Sequence, residues 1–180
     1  MTEATPFGFG DEMRIGLRGT TRRVWGRRGV KVHQRLQLAY AWRSLFLAVD
    51  GRAGTLHWCW ITSLGAEATL AAVGGLRQAT DLAALVWDGA SSHRDQSVQA
   101  LGLPLISLPP YSPEINPAER IFQELRRATE GRVYATLDDK IAAVEAEFAT
   151  LDADPVRIRS LAGWAWIEAA VPRLIETQAA

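Results

Sequence analysis

Residues Leu82 to Gln123 read LAALVWDGASSHRDQSVQALGLPLISLPPYSPEINPAERIFQ, and this stretch decides the fold. Two apolar runs, Leu82 to Trp87 and Leu103 to Leu108, have the length and the Val, Ile and Leu content of strands buried on both faces. The roughly ten residues between them are able to form a helix. Because a strand-helix-strand unit joins parallel neighbours, the sequence predicts an α/β fold around a parallel pair of strands.

A polar loop follows each of these two strands. Asp88 begins the first loop, and the second loop contains Glu114 and leads to Glu119. Sites in open α/β sheets lie just beyond the carboxyl ends of the strands. We therefore expect Asp88 and the acidic groups of the second loop to face one crevice.

Strands and a hairpin are predicted ahead of this unit. Residues 7–17 alternate loosely, so a first strand either ends near Asp11 or passes through it. Residues 44–49 and 56–61 have the pattern of two strands joined by a turn that begins with Asp50 and Gly51. With a helix over residues 64–78, this order indicates a mixed sheet that starts antiparallel and continues parallel.

The segment between the first strand and the hairpin is strongly basic, although the formal net charge of the chain is zero. From residue 11 to residue 43 there are nine basic residues and two acidic ones. Residues 21–25 and 30–37 fit either short strands or an irregular arm. Such a segment can hold phosphates, and a solvated ribbon of hairpin charges explains it equally well.

Helices are predicted from the second loop to the C terminus. Asn116 is a suitable N-cap for the first of them. Residues 136–148 have an amphipathic pattern that opens with a capping box of Thr136 and Asp139. The apolar residues 155–180 predict one or two further helices that cover the sheet.

Composition limits the class of protein. A chain of 180 residues that is 48% hydrophobic suits one domain with a real core. It has no apolar run near the ~18 to 20 residues of a membrane span and no signal-peptide pattern at its start, so we expect a cytoplasmic protein. Cys59 is the single cysteine and lies in an apolar run, which indicates a buried, inert thiol.

Three carboxylates fall at predicted strand ends or at a helix start: Asp11, Asp88 and Glu119. Each has a simpler explanation, namely a polar strand end, an Asp-Gly turn and a capping box between Asn116 and Glu119. Together they are the oxygen ligands that Mg²⁺ or Mn²⁺ requires, and two such ions ~4 Å apart can promote phosphodiester cleavage. The sequence has no phosphate-binding glycine loop, zinc-ligand spacing or nucleophile elbow that offers comparable chemistry.

Four motifs occur in order between residues 7 and 148. They are Asp11-Glu12-x-Arg14-x-Gly16-Leu17, Arg23-x-Trp25-x-x-x-Gly29, Trp87-Asp88-Gly89-Ala90-x-x-His93 and Leu108-Pro109-Pro110-Tyr111-Ser112-Pro113-Glu114-x-Asn116-Pro117-x-Glu119-Arg120. In this order they resemble the catalytic domain of bacterial insertion-sequence transposases related to the Tc/mariner group, which are DDE superfamily endonucleases. The last motif is the most specific.

The resemblance implies an RNase H-like fold, a mixed central sheet flanked by helices, and a DDE triad of Asp11, Asp88 and Glu119 that binds Mg²⁺ or Mn²⁺. Glu114 competes for the third position, but it lies in the loop ahead of the helix, whereas Glu119 has the family's position inside the helix. The implied function is metal-dependent DNA strand cleavage and strand transfer of an insertion sequence. The alternatives are an RNase H-like nuclease without transposition, and a catalytically idle remnant that binds DNA or another protein.

DNA is the expected partner, as element ends and as target, at the nucleoid. The candidate DNA contacts are Arg22, Arg23, Arg27, Arg28, Lys31, His93 and Arg120. An ordinary surface histidine explains His93 equally well, and a solvated helix face explains Arg120 together with Arg126 and Arg127. We expect a homodimer or a separately encoded N-terminal DNA-binding half as protein partner, and no membrane contact.

The chain differs from complete relatives, which carry helix-turn-helix segments ahead of the catalytic domain. Here Asp11 comes almost at once, so we expect residues 1–180 to be a single catalytic domain, with C-terminal helices from about residue 153 and without a helix-turn-helix domain. We expect such a chain to be the second half of an element whose reading frame is split, or a truncated copy. The spacing of 30 residues between Asp88 and Glu119 is slightly shorter than in relatives.

Overall fold

A computed structural model gives the structure of the protein and describes residues 5–19, 24–88 and 96–179. Its described part contains one sheet of five strands in the order β3-β2-β1-β4-β5. The strands are β1 (Phe7–Gly16), β2 (Trp42–Asp50), β3 (Thr55–Ile61), β4 (Ala84–Trp87) and β5 (Leu105–Ser107). β2 is antiparallel to β1 and β3, whereas β4 is parallel to β1 and β5. The predicted mixed sheet is confirmed, and β1 passes through Asp11.

Helices flank the sheet on both sides. They are α1 (Ala66–Ala79), α2 (Gln96–Gln99), α3 (Ala118–Thr129), α4 (Leu137–Asp152), α5 (Pro155–Ala162) and α6 (Ala165–Ala179), with a 3₁₀ turn (Pro113–Ile115) ahead of α3. The helix expected between β4 and β5 is only the four residues of α2 in the described part, and residues 89–95 lie outside that part. The predicted capping box of α4 is present, with Thr136 and Asp139 bonded reciprocally.

Each face of the sheet has its own core. On one face, alternate side chains of β1, β2 and β4 pack against α3 to α6, and Phe122 and Phe148 are fully buried there. On the other face, Phe46 and Trp87 pack against α1 and α2. Because side chains alternate along a strand, Asp11 follows Phe9 onto the face that α3 covers. The register of β1 therefore carries one acidic side chain toward the start of α3.

The two antiparallel connections differ in length. Between β2 and β3, the Asp50 side chain accepts hydrogen bonds from the N–H groups of Arg52 and Ala53 at 2.9 Å, and Gly54 has a φ of +75°. This tight turn confirms the predicted hairpin. Between β1 and β2, residues 24–41 form no strand and are called the arm below. Of the two interpretations left open, the irregular one holds for these residues, and residues 21–23 lie outside the described part.

Two smaller expectations concern a thiol and the membrane. Cys59 is half-buried rather than fully buried, and desolvation raises the pKa of its thiol, which keeps it unreactive. Among the described residues, no helix has the length and apolar character needed to cross a bilayer.

Candidate active site

A cleft of about 690 Å³ opens at the carboxyl ends of β4 and β5. Its walls are the loop after β5, the start of α3 and three carboxylates. Asp11 comes from the middle of β1, Asp88 follows β4 directly, and Glu119 lies in the first turn of α3. The structure thus places the three predicted ligands in one crevice at the strand ends.

The three carboxylates line the cleft without converging on one point. Within the described ranges, no three His, Cys, Asp or Glu side chains are close enough together to hold a metal ion. Like charges repel one another, and protein donors hold Asp11 and Glu119 individually. Simultaneous binding of one cation by all three would therefore require side-chain movement.

The pKa of the Asp11 carboxyl is strongly raised. Its Oδ1 accepts from the backbone N–H of Glu12 at 2.8 Å. Burial raises the pKa of Asp11 to about 7; the Glu12 hydrogen bond lowers it, and the charges of Glu119, Glu12 and Asp88 raise it further. All the charges that act on Asp11 in the described structure are negative, so its ionised form lacks a compensating cation from the protein.

Asn116 has a role that sequence reasoning missed, because the sequence predicts only that it caps the helix. The side chain is buried, with 3% exposure. Its Oδ1 accepts from the N–H of Ala118 at 3.0 Å, and its Nδ2 donates to Oδ2 of Asp11 at 3.1 Å and to the carbonyl of Gly10 at 3.3 Å. One side chain therefore caps α3 and ties it to Asp11. One feature of the sequence could have indicated this role. An asparagine that caps a helix through its Oδ1 still has an NH₂ group, which can donate to a second partner.

Glu119 forms an ion pair and not a capping box. Its Oε2 accepts from Nη1 of Arg126 at 3.1 Å, while the backbone N–H of Asn116 donates to the carbonyl of Pro113. The capping-box explanation of Glu119 is therefore wrong. The helix also begins one residue later than expected, with Pro117 ahead of it at helical dihedral angles.

The loop after β5 contains Glu114, the alternative third carboxylate, and Tyr111, a residue with a strained backbone. Glu114 is exposed in the 3₁₀ turn and does not line the cleft, which favours Glu119 as the third carboxylate. Tyr111 lines the cleft with a fully exposed side chain and a φ of +57°. A left-handed conformation costs a non-glycine residue ~1 to 2 kcal/mol, and such strain often accompanies functional sites.

The predicted DNA contacts are spread over two regions. Arg27, Arg28 and Lys31 are exposed on the arm. Arg120 is exposed on α3, where its guanidinium donates to Gln123 at 3.2 Å and lies 5.9 Å from the ring centroid of Trp164. Arg22, Arg23 and His93 lie outside the described residues.

One family model matches most of the chain. The family model described as DDE superfamily endonuclease matches residues 6–140. A search of curated protein sequences finds no significant match.

Solved structures of Mos1 transposase share the fold. The Mos1 mariner paired-end complex with Mn superposes with a TM-score of 0.64 at 13% identity, over 86% of this chain and 53% of that chain. The Mos1 strand transfer complex gives 0.61 at 14% identity, over 91% and 55%. The Mos1 paired-end complex with left transposon end gives 0.59 at 14% identity, over 88% and 56%. The chain thus spans just over half the length of these proteins, and the expected RNase H-like fold is confirmed.

Proposed function

The chain belongs to the DDE superfamily endonucleases, and we propose that it carries the catalytic domain of a DNA transposase of the Tc/mariner type. In this proposal it cuts DNA strands with the help of divalent metal ions and joins the freed 3′ end to target DNA. The observation that carries the proposal is the cleft, because Asp11, Asp88 and Glu119 reach it from three separate elements. All three lie within the residues that the family model matches.

Asp11, Asp88 and Glu119 are the residues we propose as holding Mg²⁺ or Mn²⁺. Hard cations of this kind prefer carboxylate oxygens, and the donor set of the cleft fits them. Asp11 supports the assignment, since a buried carboxylate among negative charges gains much from a cation. When bound, such ions supply an activated water and stabilise the leaving oxygen of the phosphodiester.

The chain's own residues prepare this site. Asn116 and the Glu12 N–H each hold one oxygen of Asp11, and each oxygen keeps a further lone pair for a ligand. Asp88 is placed by the fully buried end of β4. Glu119 lines the cleft, and its Oε2 becomes available to a metal ion when Arg126 exchanges that oxygen for another partner.

DNA is the proposed substrate, and the exposed cations supply its phosphate contacts. Arg27, Arg28 and Lys31 lie on the arm and Arg120 lies on α3 next to Glu119, while the exposed ring of Tyr111 offers a stacking surface at the cleft. We propose Arg22, Arg23 and His93 as further contacts from the sequence alone. A second copy of the chain, or a separately encoded DNA-binding half, is the proposed protein partner, and the nucleoid the proposed place of action.

One observation favours the second candidate, a catalytically idle remnant that binds DNA. The carboxylates in the described structure do not form a preformed three-ligand group. An idle remnant would bind DNA through its basic residues and would not depend on the acidic ones.

The deciding experiment is a plasmid-nicking assay with Mn²⁺ or Mg²⁺, combined with calorimetric titration of Mn²⁺. Asp88→Asn is compared with wild type and with Glu114→Gln, an exposed carboxylate outside the cleft. We expect wild type and Glu114→Gln to bind Mn²⁺ and nick DNA, and Asp88→Asn to lose both properties while staying folded. Equal nicking by wild type and Asp88→Asn would contradict the proposal, as would no nicking by wild type with a DNA-binding half supplied.

A further inference from the structure

A second cavity, of about 160 Å³, lies between the C-terminal end of α3 and the ends of β1 and β2. Its walls carry five basic side chains and a single acidic one, Glu130. The basic residues are Arg14, Arg18, Arg126, Arg132 and Lys140. We call this cavity the basic pocket. The basic pocket is positively charged, whereas the cleft at the other end of α3 is negatively charged. The positive charge favours an anionic ligand.

Hydrogen bonds and aromatic rings hold several of these cations. Nζ of Lys140 donates to the carbonyl of Gly16 at 2.6 Å. The guanidinium carbon of Arg14 lies 5.9 Å from the ring centroid of Trp42, and that of Arg18 lies 4.9 Å from the ring centroid of Tyr40. An aromatic ring contacts the face of a guanidinium and leaves the N–H groups at its edge able to bind a ligand.

Arg126 connects the basic pocket to the cleft through its ion pair with Glu119. Its side chain lines the basic pocket, and its Nη1 reaches Glu119, seven residues earlier on α3. Its guanidinium carbon lies 6.0 Å from the ring centroid of Phe122, so the side chain runs back along the helix. The side chains of Arg126 and Glu119 are 40% and 30% exposed. Ion pairs at this exposure are weak, so a new partner for Arg126 can replace Glu119.

We propose that the basic pocket binds a backbone phosphate of DNA, and that this phosphate takes Arg126 from Glu119 and so frees Oε2 of Glu119 to bind a metal ion in the cleft. The step exchanges ion-pair partners and forms no covalent bond. A phosphodiester presents the oxygens that the paired N–H groups of arginine recognise. This inference deepens the proposed function and rests on it for the identity of the substrate.

The length of α3 allows one duplex to reach both the cleft and the basic pocket. α3 has 12 residues and is therefore ~18 Å long, which corresponds to about five nucleotides along one DNA strand. A strand that enters the cleft can thus place a phosphate in the basic pocket a few nucleotides away. Both oxygens of Glu119 would then be available to a metal ion in the cleft only while DNA occupies the basic pocket.

Occupancy of the basic pocket is tested by the salt dependence of binding to a short labelled DNA duplex. Arg132→Gln removes an exposed cation of the pocket, and Arg77→Gln removes an exposed cation from α1, on the opposite face of the sheet. We expect Arg132→Gln to weaken binding several-fold and to reduce the salt slope by about 1, whereas Arg77→Gln changes neither. Equal behaviour of the two variants would overturn the proposal. Calorimetric titration of inorganic phosphate forms a second arm, and binding of phosphate as tight as that of the duplex would assign the pocket to the free ion instead.

Release of Glu119 is tested by titrating Mn²⁺ into wild type, Arg126→Gln and Arg127→Gln, with and without the duplex. Arg127→Gln removes the same charge from the next position, where the side chain pairs with Glu124. Without DNA, Arg126→Gln should bind Mn²⁺ about two- to fivefold more tightly than Arg127→Gln, the range expected for loss of an exposed ion pair. The duplex should tighten Mn²⁺ binding of wild type more than that of Arg126→Gln, and equal tightening would overturn the release. If wild type neither binds Mn²⁺ nor nicks DNA, the proposed function fails, while the Arg132→Gln comparison still decides the pocket.

Discussion

Helix α3 carries two glutamates with different surroundings. Glu124 is 8% exposed, and its two oxygens accept from the guanidinium groups of Arg127 and Arg157, whose hydrogen bonds and charges lower its pKa. Glu119 is more exposed and has one arginine partner. It lies near Asp11, and the charged groups that act on the Asp11 carboxyl are all negative. The protein balances the charge at Glu124 with its own cations, whereas it leaves the charge of the cleft for a ligand to balance.

This difference distinguishes Glu124, a structural acid, from Asp11, which we propose as a metal ligand, better than burial does. Both Glu124 and Asp11 are removed from water to a large extent, yet their pKa values move in opposite directions. The direction follows from the neighbours, since arginines favour the ionised form and desolvation among carboxylates disfavours it. Four predictions test this contrast.

The largest expected effect is on cleavage. Glu119→Gln should lower the rate of metal-dependent nicking on the order of 10³-fold, the range seen when one group that stabilises the transition state is removed. Glu124→Gln should nick DNA within a fewfold of wild type. Rates measured with both variants at saturating Mn²⁺ check this, and equal losses in the two variants would remove the distinction between the two glutamates.

The next prediction concerns how the free energy of unfolding depends on pH, and the contributions of Asp11 and Glu124 have opposite signs. Because the pKa of Asp11 is raised from 3.8 to about 7 in the folded state, folding binds a proton and the free energy of unfolding falls as pH rises toward 7. Glu124 has a lowered pKa, so its contribution is present above 4.5 and is lost as pH falls through its folded-state pKa. Asp11→Asn should therefore stabilise the protein by about 2 to 3 kcal/mol more at pH 8 than at pH 5. Urea unfolding of wild type and Asp11→Asn at both pH values measures this difference. If the substitution stabilised the protein equally at pH 5 and pH 8, the raised pKa of Asp11 would be contradicted.

Stability should respond to Glu124 and not to Glu119. Glu124→Gln leaves Arg127 and Arg157 without their common partner, and should lower the free energy of unfolding by about 2 kcal/mol, less than for a fully buried pair because both arginines reach water. Glu119→Gln should change it by less than about 1 kcal/mol, since its ion pair is partly exposed. Urea unfolding at pH 7 is the measurement. If Glu119→Gln lowered the free energy of unfolding more than Glu124→Gln, Glu119 would be the structural acid of the two, which contradicts the contrast.

The smallest effect is stabilisation by metal. At a fixed concentration, Mg²⁺ should raise the free energy of unfolding by about 1 kcal/mol more at pH 8 than at pH 6, because below pH 7 the ion must displace a proton from Asp11. Thermal unfolding with and without Mg²⁺ shows this as a larger shift of Tm at pH 8. The Asp11→Asn variant is the control, and it should lose the pH dependence of the shift.

Local patterns predicted the secondary structure well and the contacts of the site poorly. The tight hairpin after Asp50 and the capping box of Thr136 and Asp139 both formed, because all their partners lie within a few residues. The similar pattern at Asn116 and Glu119 did not form a capping box. There the Asn116 amide bonds Asp11, 105 residues away, and Glu119 turns to Arg126 instead.

The limits of sequence reasoning at this site have a physical cause. Asn116 meets Asp11 only because β1 and α3 pack in a particular register, and no pattern within either element encodes that distance. The DDE assignment came from the order of motifs and from a resemblance, and the catalytic roles of the three carboxylates stay predictions. The arm could not be decided from sequence, since its charges and scattered apolar residues fit a strand or an irregular segment equally.

The side chain of Asn116 both stabilises the start of α3 and positions Asp11, and this has an evolutionary consequence. A gene copy released from selection on cleavage can exchange Asp11 for asparagine and gain stability, but it cannot lose Asn116 without uncapping α3 and leaving buried polar groups unbonded. Decay of such copies should therefore begin at the carboxylates and reach the amide late. In a lineage of degenerating copies, an intact Asn116 beside a missing acid would mark a protein that still folds after its chemistry has gone.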